Sequence, residues 1–229
     1  MTDDRGARKR EAAMAAVAMV QDGMAVGLGT GSTAAFAIDG LIQRVRAGLR
    51  IVGVPTSERS ARQAREGGIE LTDFARHPRL DLTIDGADEI ARDSLALVKG
   101  LGGALLREKI VAAASDRLVI IADEPKLVSK LGGTSPVPVE IVAFGHETTT
   151  ARLAKLGANP VLRMAPDGTP FRTDGGNLIL DCGFGTIEDP ARLERDLSGV
   201  IGVVESGLFI GLATTALVAT PGGLVRLDR

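Results

Sequence analysis

The side chains best placed for chemistry in this 229-residue chain are Asp85, Asp88, Lys99, Glu108 and Lys126. They fall in three segments. "LTIDGADEI" (82–90) puts Asp85 straight after an apolar run, with Gly86 and Ala87 between it and Asp88. A helix N-terminus, where acids cap free N–H groups, accounts for any one of these carboxylates. It accounts less well for two of them bracketing a turn at the carboxyl end of a strand, where open α/β sheets bind ligands. "LVKGLGGALLREKI" (97–110) places Lys99 before the turn residues Gly100, Leu101 and Gly102, and Glu108 between Arg107 and Lys109 on the helix that follows. A solvated helical face with an ion pair is the alternative there. "IADEPKLVSKLG" (121–132) sets Lys126 and Lys130 just beyond another strand. Carboxylates and lysines without a Cys or His nucleophile suit proton transfer beside a carbonyl. The carboxylate carries the proton and the ammonium stabilises the developing oxyanion.

A glycine loop precedes them. In "VGLGTGSTAA" (26–35), Gly29, Thr30, Gly31, Ser32 and Thr33 join an apolar strand to a helix. Backbone N–H groups and the helix dipole at such a junction favour an anion. A Walker-type loop would end in Gly-Lys-Ser/Thr, and no lysine lies between Met24 and Arg44. Gly29-x-Gly31-x-x-Ala34 matches the dinucleotide fingerprint, but the next strand ends "VGVPTSERS", with no acid at its tip to hold a ribose. A turn with no ligand stays open. The two hydroxyl-bearing strand tips, "GTGST" and "PTSERS", suit one phosphate and sugar hydroxyls better.

These segments need a scaffold of alternating strands and helices. Strands are predicted at 24–28, 50–54, 80–84 and 117–122, with helices at 5–21, 32–47, 57–67 and 103–115 between them. That alternation predicts a parallel sheet covered by helices on both faces. Gly132, Gly133, Pro136 and Pro138 form a breaker cluster that marks a boundary. Beyond it the order is strand 137–142, helix 147–156, strands 158–164 and 177–182, helix 189–198 and strand 200–204, a ferredoxin-like pattern. The expected organisation is a Rossmann-like domain of residues 1–131 plus 207–229, carrying an inserted ferredoxin-like α+β domain of residues 132–206. Two or three short strands are expected in the tail.

Composition limits the partners. The chain is 45% hydrophobic, with a formal net charge of −2, no Trp, no Tyr and six Phe. Neither a basic footprint nor an aromatic stacking platform for nucleic acid is expected. A lone cysteine, Cys182, rules out an internal disulfide and a multi-cysteine zinc site; in "LILDCGF" it reads as core. No run approaches a membrane span. The N-terminal "MTDDRGARKREAAMAAVAMVQDG" reads as an amphipathic helix and not a signal peptide. A cytoplasmic location is expected.

The motifs "GLGTGSTA", "TSERS", "DGADEI", "KGLGGALLREK", "ADEPKLVSKLG", "PVPVE" and "GGNLILD" stand in the order seen in ribose-5-phosphate isomerases of type A, and nearly the whole sequence resembles that family. The resemblance implies interconversion of ribose 5-phosphate and ribulose 5-phosphate through an enediolate, with neither metal nor cofactor, in homodimers or tetramers. It implies Glu108 as general base, Asp85 and Asp88 for ring opening and sugar hydroxyls, and Lys99 for enediolate and substrate. Thr30, Gly31, Ser32 and Thr33, the Gly86-Ala87 turn, Gly100, Leu101, Gly102 and Lys126 complete the implied substrate site. Three positions depart from the family pattern: Leu101 interrupts a glycine turn, Leu106 stands where Thr is common, and Ser206 where His is frequent. Only Leu101 bears on the substrate turn. Amino-sugar-phosphate deaminases on similar folds open the ring with a histidine, whereas His77 and His146 lie in no motif here. A non-catalytic sugar-phosphate sensor would carry a helix-turn-helix, for which the N-terminal region has room for one helix only.

Overall fold

The computed structural model describes residues 3–229. Helix α1 (Asp3–Val17) leads into β1 (Ala25–Leu28), α2 (Ser32–Arg46), β2 (Val52–Pro55), α3 (Glu58–Gly67), β3 (Glu70–Leu71) and β4 (Leu82–Gly86). Next come β5 (Glu89–Ala91), β6 (Leu97–Val98), α4 (Leu105–Ala113), β7 (Leu118–Asp123), a 3-10 turn (Glu124–Lys126) and β8 (Leu127–Val128). The remainder is β9 (Val137–Ile141), α5 (His146–Lys155), β10 (Asn159–Leu162), β11 (Leu178–Gly183), α6 (Pro190–Ser198), β12 (Val203–Ser206), β13 (Leu208–Phe209), β14 (Thr215–Thr220) and β15 (Gly223–Asp228).

The chain divides into two compact units. The first reaches to Ala87 and takes in Arg107–Leu127 and Gly211–Arg229; the second is Asp88–Leu106 and Val128–Ile210. The first is built on a seven-stranded sheet of order β15-β14-β7-β4-β1-β2-β3. Its neighbours run parallel except at β15, which pairs antiparallel with β14 as an edge. This is the doubly wound order of the expected Rossmann-like fold. All six residues of β7 are buried, as an interior strand of a sheet covered on both faces requires. Helix α1 ends at Val17, short of the expected 21. There Arg44 Nη1 donates to the carbonyls of Val17 (2.6 Å) and Val20 (2.7 Å), and a cation at a helix C-terminus satisfies carbonyls the next turn would have used.

The second unit holds an antiparallel sheet of order β10-β11-β9-β12. With α5 and α6 it forms the expected β-α-β-β-α-β unit. Cys182 is buried in its core, and burial pushes its thiol pKa up to about 12. A third small sheet of order β13-β6-β5-β8 joins this unit. Asp88–Leu106 clusters with the second unit because β6 pairs with β13 and Glu89 holds the 132–135 loop. The buried Glu89 carboxylate accepts from the N–H groups of Gly132 (2.6 Å), Thr134 (2.8 Å) and Ser135 (2.6 Å) and from the Thr134 hydroxyl (2.6 Å). These charge-assisted bonds offset the cost of burying the charge. No helix begins after Asp88: strand β5 follows at once, so the helix-cap alternative for Asp85, Asp88 and Glu89 does not hold.

Candidate active site

In the first unit β1 pairs with β2 on one side and β4 on the other, so the strand order reverses between β1 and β4. The crevice beyond the carboxyl ends of strands at such a point is where open α/β sheets take ligands. The residues that follow β1 and end β4 are bonded to each other across it. The N–H of Thr30 donates to Asp85 Oδ1 at 3.0 Å, and the N–H of Gly86 donates to the same oxygen at 2.7 Å. Asp85 is buried to 1% exposure. Gly29 N donates to Ile84 O at 3.0 Å, and a Cβ on Gly29 would lie 2.3 Å from Asp85 Oδ1 and 2.5 Å from Ile84 O. Gly29→Ala is therefore expected to displace Asp85 and cost about 1–3 kcal/mol of stability by overpacking, read as a lower denaturant midpoint. A midpoint equal to that of the unaltered chain would show that the loop has room to move.

The Thr30 hydroxyl is taken up by neighbouring hydroxyls of the protein. Its Oγ1 lies 2.7 Å from Thr56 Oγ1, 2.8 Å from Ser57 Oγ and 3.3 Å from Ser60 Oγ, and Ser60 Oγ donates to Gly29 O at 2.6 Å. All four hydroxyls are buried. The strand tips that looked suited to sugar hydroxyls thus spend these groups on one another, binding the β1 loop to the start of α3. Ser57 also caps α3 by accepting from Ser60 N.

Gly31 precedes α2 with φ 114°, a conformation that favours glycine, and gives the helix no side-chain cap. The first turn of α2 carries no acid. Ser32 is exposed, Thr33 and Gly31 are half-buried, and Lys9 Nζ of α1 donates to Ser32 Oγ at 2.9 Å. An ammonium, hydroxyls and the positive end of a helix dipole therefore meet at one place, an arrangement that suits a phosphate. Sequence reasoning missed Lys9: it is one of several cations on α1, and only the packing of α1 beside α2 selects it.

Glu108 lies in the first turn of α4 with its side chain buried to 4% exposure, where the helix dipole favours a carboxylate. Its neighbour Arg107 turns away to Glu58, Nη1 to Oε1 at 2.8 Å, and this hydrogen bond holds the Glu58 carboxyl below its ordinary range. Lys126 is half-buried in the 3-10 turn after β7. Asp123, at the end of that strand, accepts from Arg5 Nε at 2.8 Å.

The remaining expected residues belong to the second unit. Lys99 is buried, its N–H donates to Gly207 O at 2.8 Å, and its Nζ lies 5.4 Å from the centroid of the Phe209 ring. The turn after it closes with Gly103 N donating to Gly100 O at 2.9 Å, and both glycines have positive φ. Asp88 Oδ2 accepts from Leu101 N at 2.9 Å. The side chain of Leu101 is exposed and Gly102 is exposed beside it, so the departure at Leu101 leaves the turn's geometry to Gly100 and Gly103. His77 bonds the Thr72 hydroxyl at 2.8 Å and His146 opens α5 beside Glu147. Among the described residues no group of three or more His, Cys, Asp or Glu side chains stands where it could hold a metal ion, and no helix is long and apolar enough to cross a membrane.

The chain resembles known proteins along nearly its whole length. Residues 52–223 match the family model described as ribose 5-phosphate isomerase A (phosphoriboisomerase A). The chain is 60% identical over 216 residues to the ribose-5-phosphate isomerase A of Gloeobacter violaceus, covering 94% of each chain. It superposes on the solved ribose 5-phosphate isomerase A of Methanocaldococcus jannaschii with a TM-score of 0.94 at 37% identity, covering 100% of both chains. A solved D-ribose-5-phosphate isomerase in complex with phospho-erythronic acid gives a TM-score of 0.94 at 36% identity, covering 97% of this chain and 98% of that one. The family model spans three quarters of the chain and the relatives match it along nearly its whole length, so the chain belongs to the ribose 5-phosphate isomerase A family.

Proposed function

We propose that this protein interconverts D-ribose 5-phosphate and D-ribulose 5-phosphate, an aldose–ketose isomerisation of the non-oxidative pentose phosphate pathway, in the cytoplasm. The observation that carries the reading is the buried Asp85, bonded to the glycine loop across the sheet's switch point. In this reading the phosphate rests on the α2 N-terminus, met by Gly31, Ser32, Thr33 and Lys9, with Lys126 adding charge. Thr30 acts through its backbone, since its hydroxyl is held within the protein.

Asp85 and Asp88 handle the sugar hydroxyls and ring opening, beside Gly86 and Ala87. Glu108 takes the proton from C2 of the open-chain aldose; the C2–H electron pair forms the C1=C2 bond and O1 takes the negative charge. Lys99 and the backbone of Gly100, Leu101 and Gly102 stabilise that enediolate. Glu108 returns its proton to C1, the O2 hydroxyl proton passes to O1, and C2 becomes the ketone. Each step uses groups of the chain and substrate, so neither metal nor cofactor is required. The test is ketose formation from ribose 5-phosphate with a chelator present. Full turnover is the expected result; no ketose, or turnover abolished by the chelator and restored by a divalent cation, would overturn the reading.

A homodimer, or a tetramer of the same chain, is part of this proposal. Phe144 is 93% exposed and Ile201 76% exposed, and the bond from Val142 N to Gly202 O (2.9 Å) ties their two segments together at one end of the β9–β12 pair. These two groups are offered as contacts for a second copy of the chain.

A further inference from the structure

The turn from Gly100 to Gly103 is gripped by a guanidinium with no assigned part in the reaction. Arg163, immediately after β10, directs Nη1 to two successive carbonyls, Gly100 O at 2.9 Å and Leu101 O at 3.2 Å. Its Nε donates to Asp181 Oδ2 of β11 at 2.9 Å, and its Nη2 pairs with the other oxygen of the same carboxylate. This fork is the geometry that makes an arginine–carboxylate pair rigid. The two side chains are 13% and 23% exposed. Phe171 completes the grip. Its N–H donates to Arg163 O at 2.9 Å, its ring lies 5.8 Å from the guanidinium, and a Cβ on Gly103 would come within 2.5 Å of the ring.

The consequence follows from the planar trans peptide, in which C=O and the following N–H point opposite ways. Fixing the carbonyls of Gly100 and Leu101 toward Arg163 turns the N–H groups of Leu101 and Gly102 away from it. The first of these meets Asp88 Oδ2 at 2.9 Å. The second belongs to an exposed glycine. Glycines turn over easily at such positions; the first peptide unit is also held by Gly103 N and Asp88, and the guanidinium adds a further bond there and the bond to Leu101 O that ties the second unit to it. Four of the five guanidinium N–H groups are directed to partners within the protein.

We infer that Arg163, held by Asp181, is a positioning residue. It orients the Gly100–Gly102 peptides so that the Asp88 carboxylate held by Leu101 N–H, the Gly102 N–H and the adjoining Lys99 present a set geometry to the sugar. The inference rests on the reading of that turn as part of the sugar site.

The test compares Arg163→Ala and Arg163→Lys in the full chain, with turnover of ribose 5-phosphate and amide hydrogen exchange as separate readouts. Misplacement of substrate-contacting groups is expected to lower kcat of Arg163→Ala by about 10–100-fold. Lys at 163, or guanidinium ion added at millimolar concentration to Arg163→Ala, is expected to restore part of that loss, and the same ion to do nothing for Glu108→Gln. The Leu101 and Gly103 amides are expected to exchange faster in Arg163→Ala. Unchanged turnover, a loss that neither Lys nor guanidinium restores, or unchanged exchange at Leu101 and Gly103 would each overturn the inference. If the unaltered enzyme makes no ketose, the proposed function fails, and amide exchange still decides whether Arg163 sets the turn.

Discussion

Glu108→Gln is expected to lower kcat by about 10²–10⁴-fold, the range that a positioned general base supplies, while the protein stays folded. Gln matches Glu in size and can fill the same buried space on the first turn of α4, so packing gives no reason for loss. The amide cannot accept the C2 proton and later return it to C1. Because the base acts after binding, KM should stay close to its original value while kcat and kcat/KM fall together. Steady-state kinetics across pH, with thermal denaturation on the same samples, makes the measurement. A Glu108→Gln enzyme that keeps its turnover would remove Glu108 from the role of base.

Asp85→Asn should come second in effect and separates charge from architecture. Asp85 Oδ1 accepts from the N–H groups of Thr30 and Gly86, and the carbonyl oxygen of Asn can accept the same two bonds. The loop should therefore stay in place while the negative charge is lost. Turnover is expected to fall by about 100-fold or more if this carboxylate takes part in acid–base transfer during ring opening. Asp85→Ala should add a fold defect. Each backbone N–H left buried without an acceptor costs about 1–3 kcal/mol, so its unfolding midpoint should drop where that of Asp85→Asn does not. If Asn and Ala destabilise alike, the charge itself holds the loop and Asp85 is a structural residue.

Much of the architecture was legible because long elements advertise themselves. The buried run of β7, the glycine entry to α2 and the β-α-β-β-α-β order after the Pro-Gly cluster all follow from apolar periodicity and breaker residues. Strands β5, β6, β8 and β13 have two or three residues each, too few for any period to show, and they exist through pairing with one another. Their pairing explains both why no helix follows Asp88 and why Asp88–Leu106 groups with the second unit.

For the chemistry, the sequence by itself determined which groups are available: the carboxylates Asp85, Asp88 and Glu108, the lysines Lys99 and Lys126, and the glycines that let backbone approach them. Residue type and local spacing are written in the chain, and so is the order of the elements. Only tertiary structure decided what each group faces. It turned the Thr30 hydroxyl inward to Thr56, Ser57 and Ser60, and brought Lys9 to Ser32 across 23 positions. It also closed Arg163 over a turn 62 and 63 positions earlier. Such partners are set by how sheets and helices stack, and separation along the chain carries no record of it.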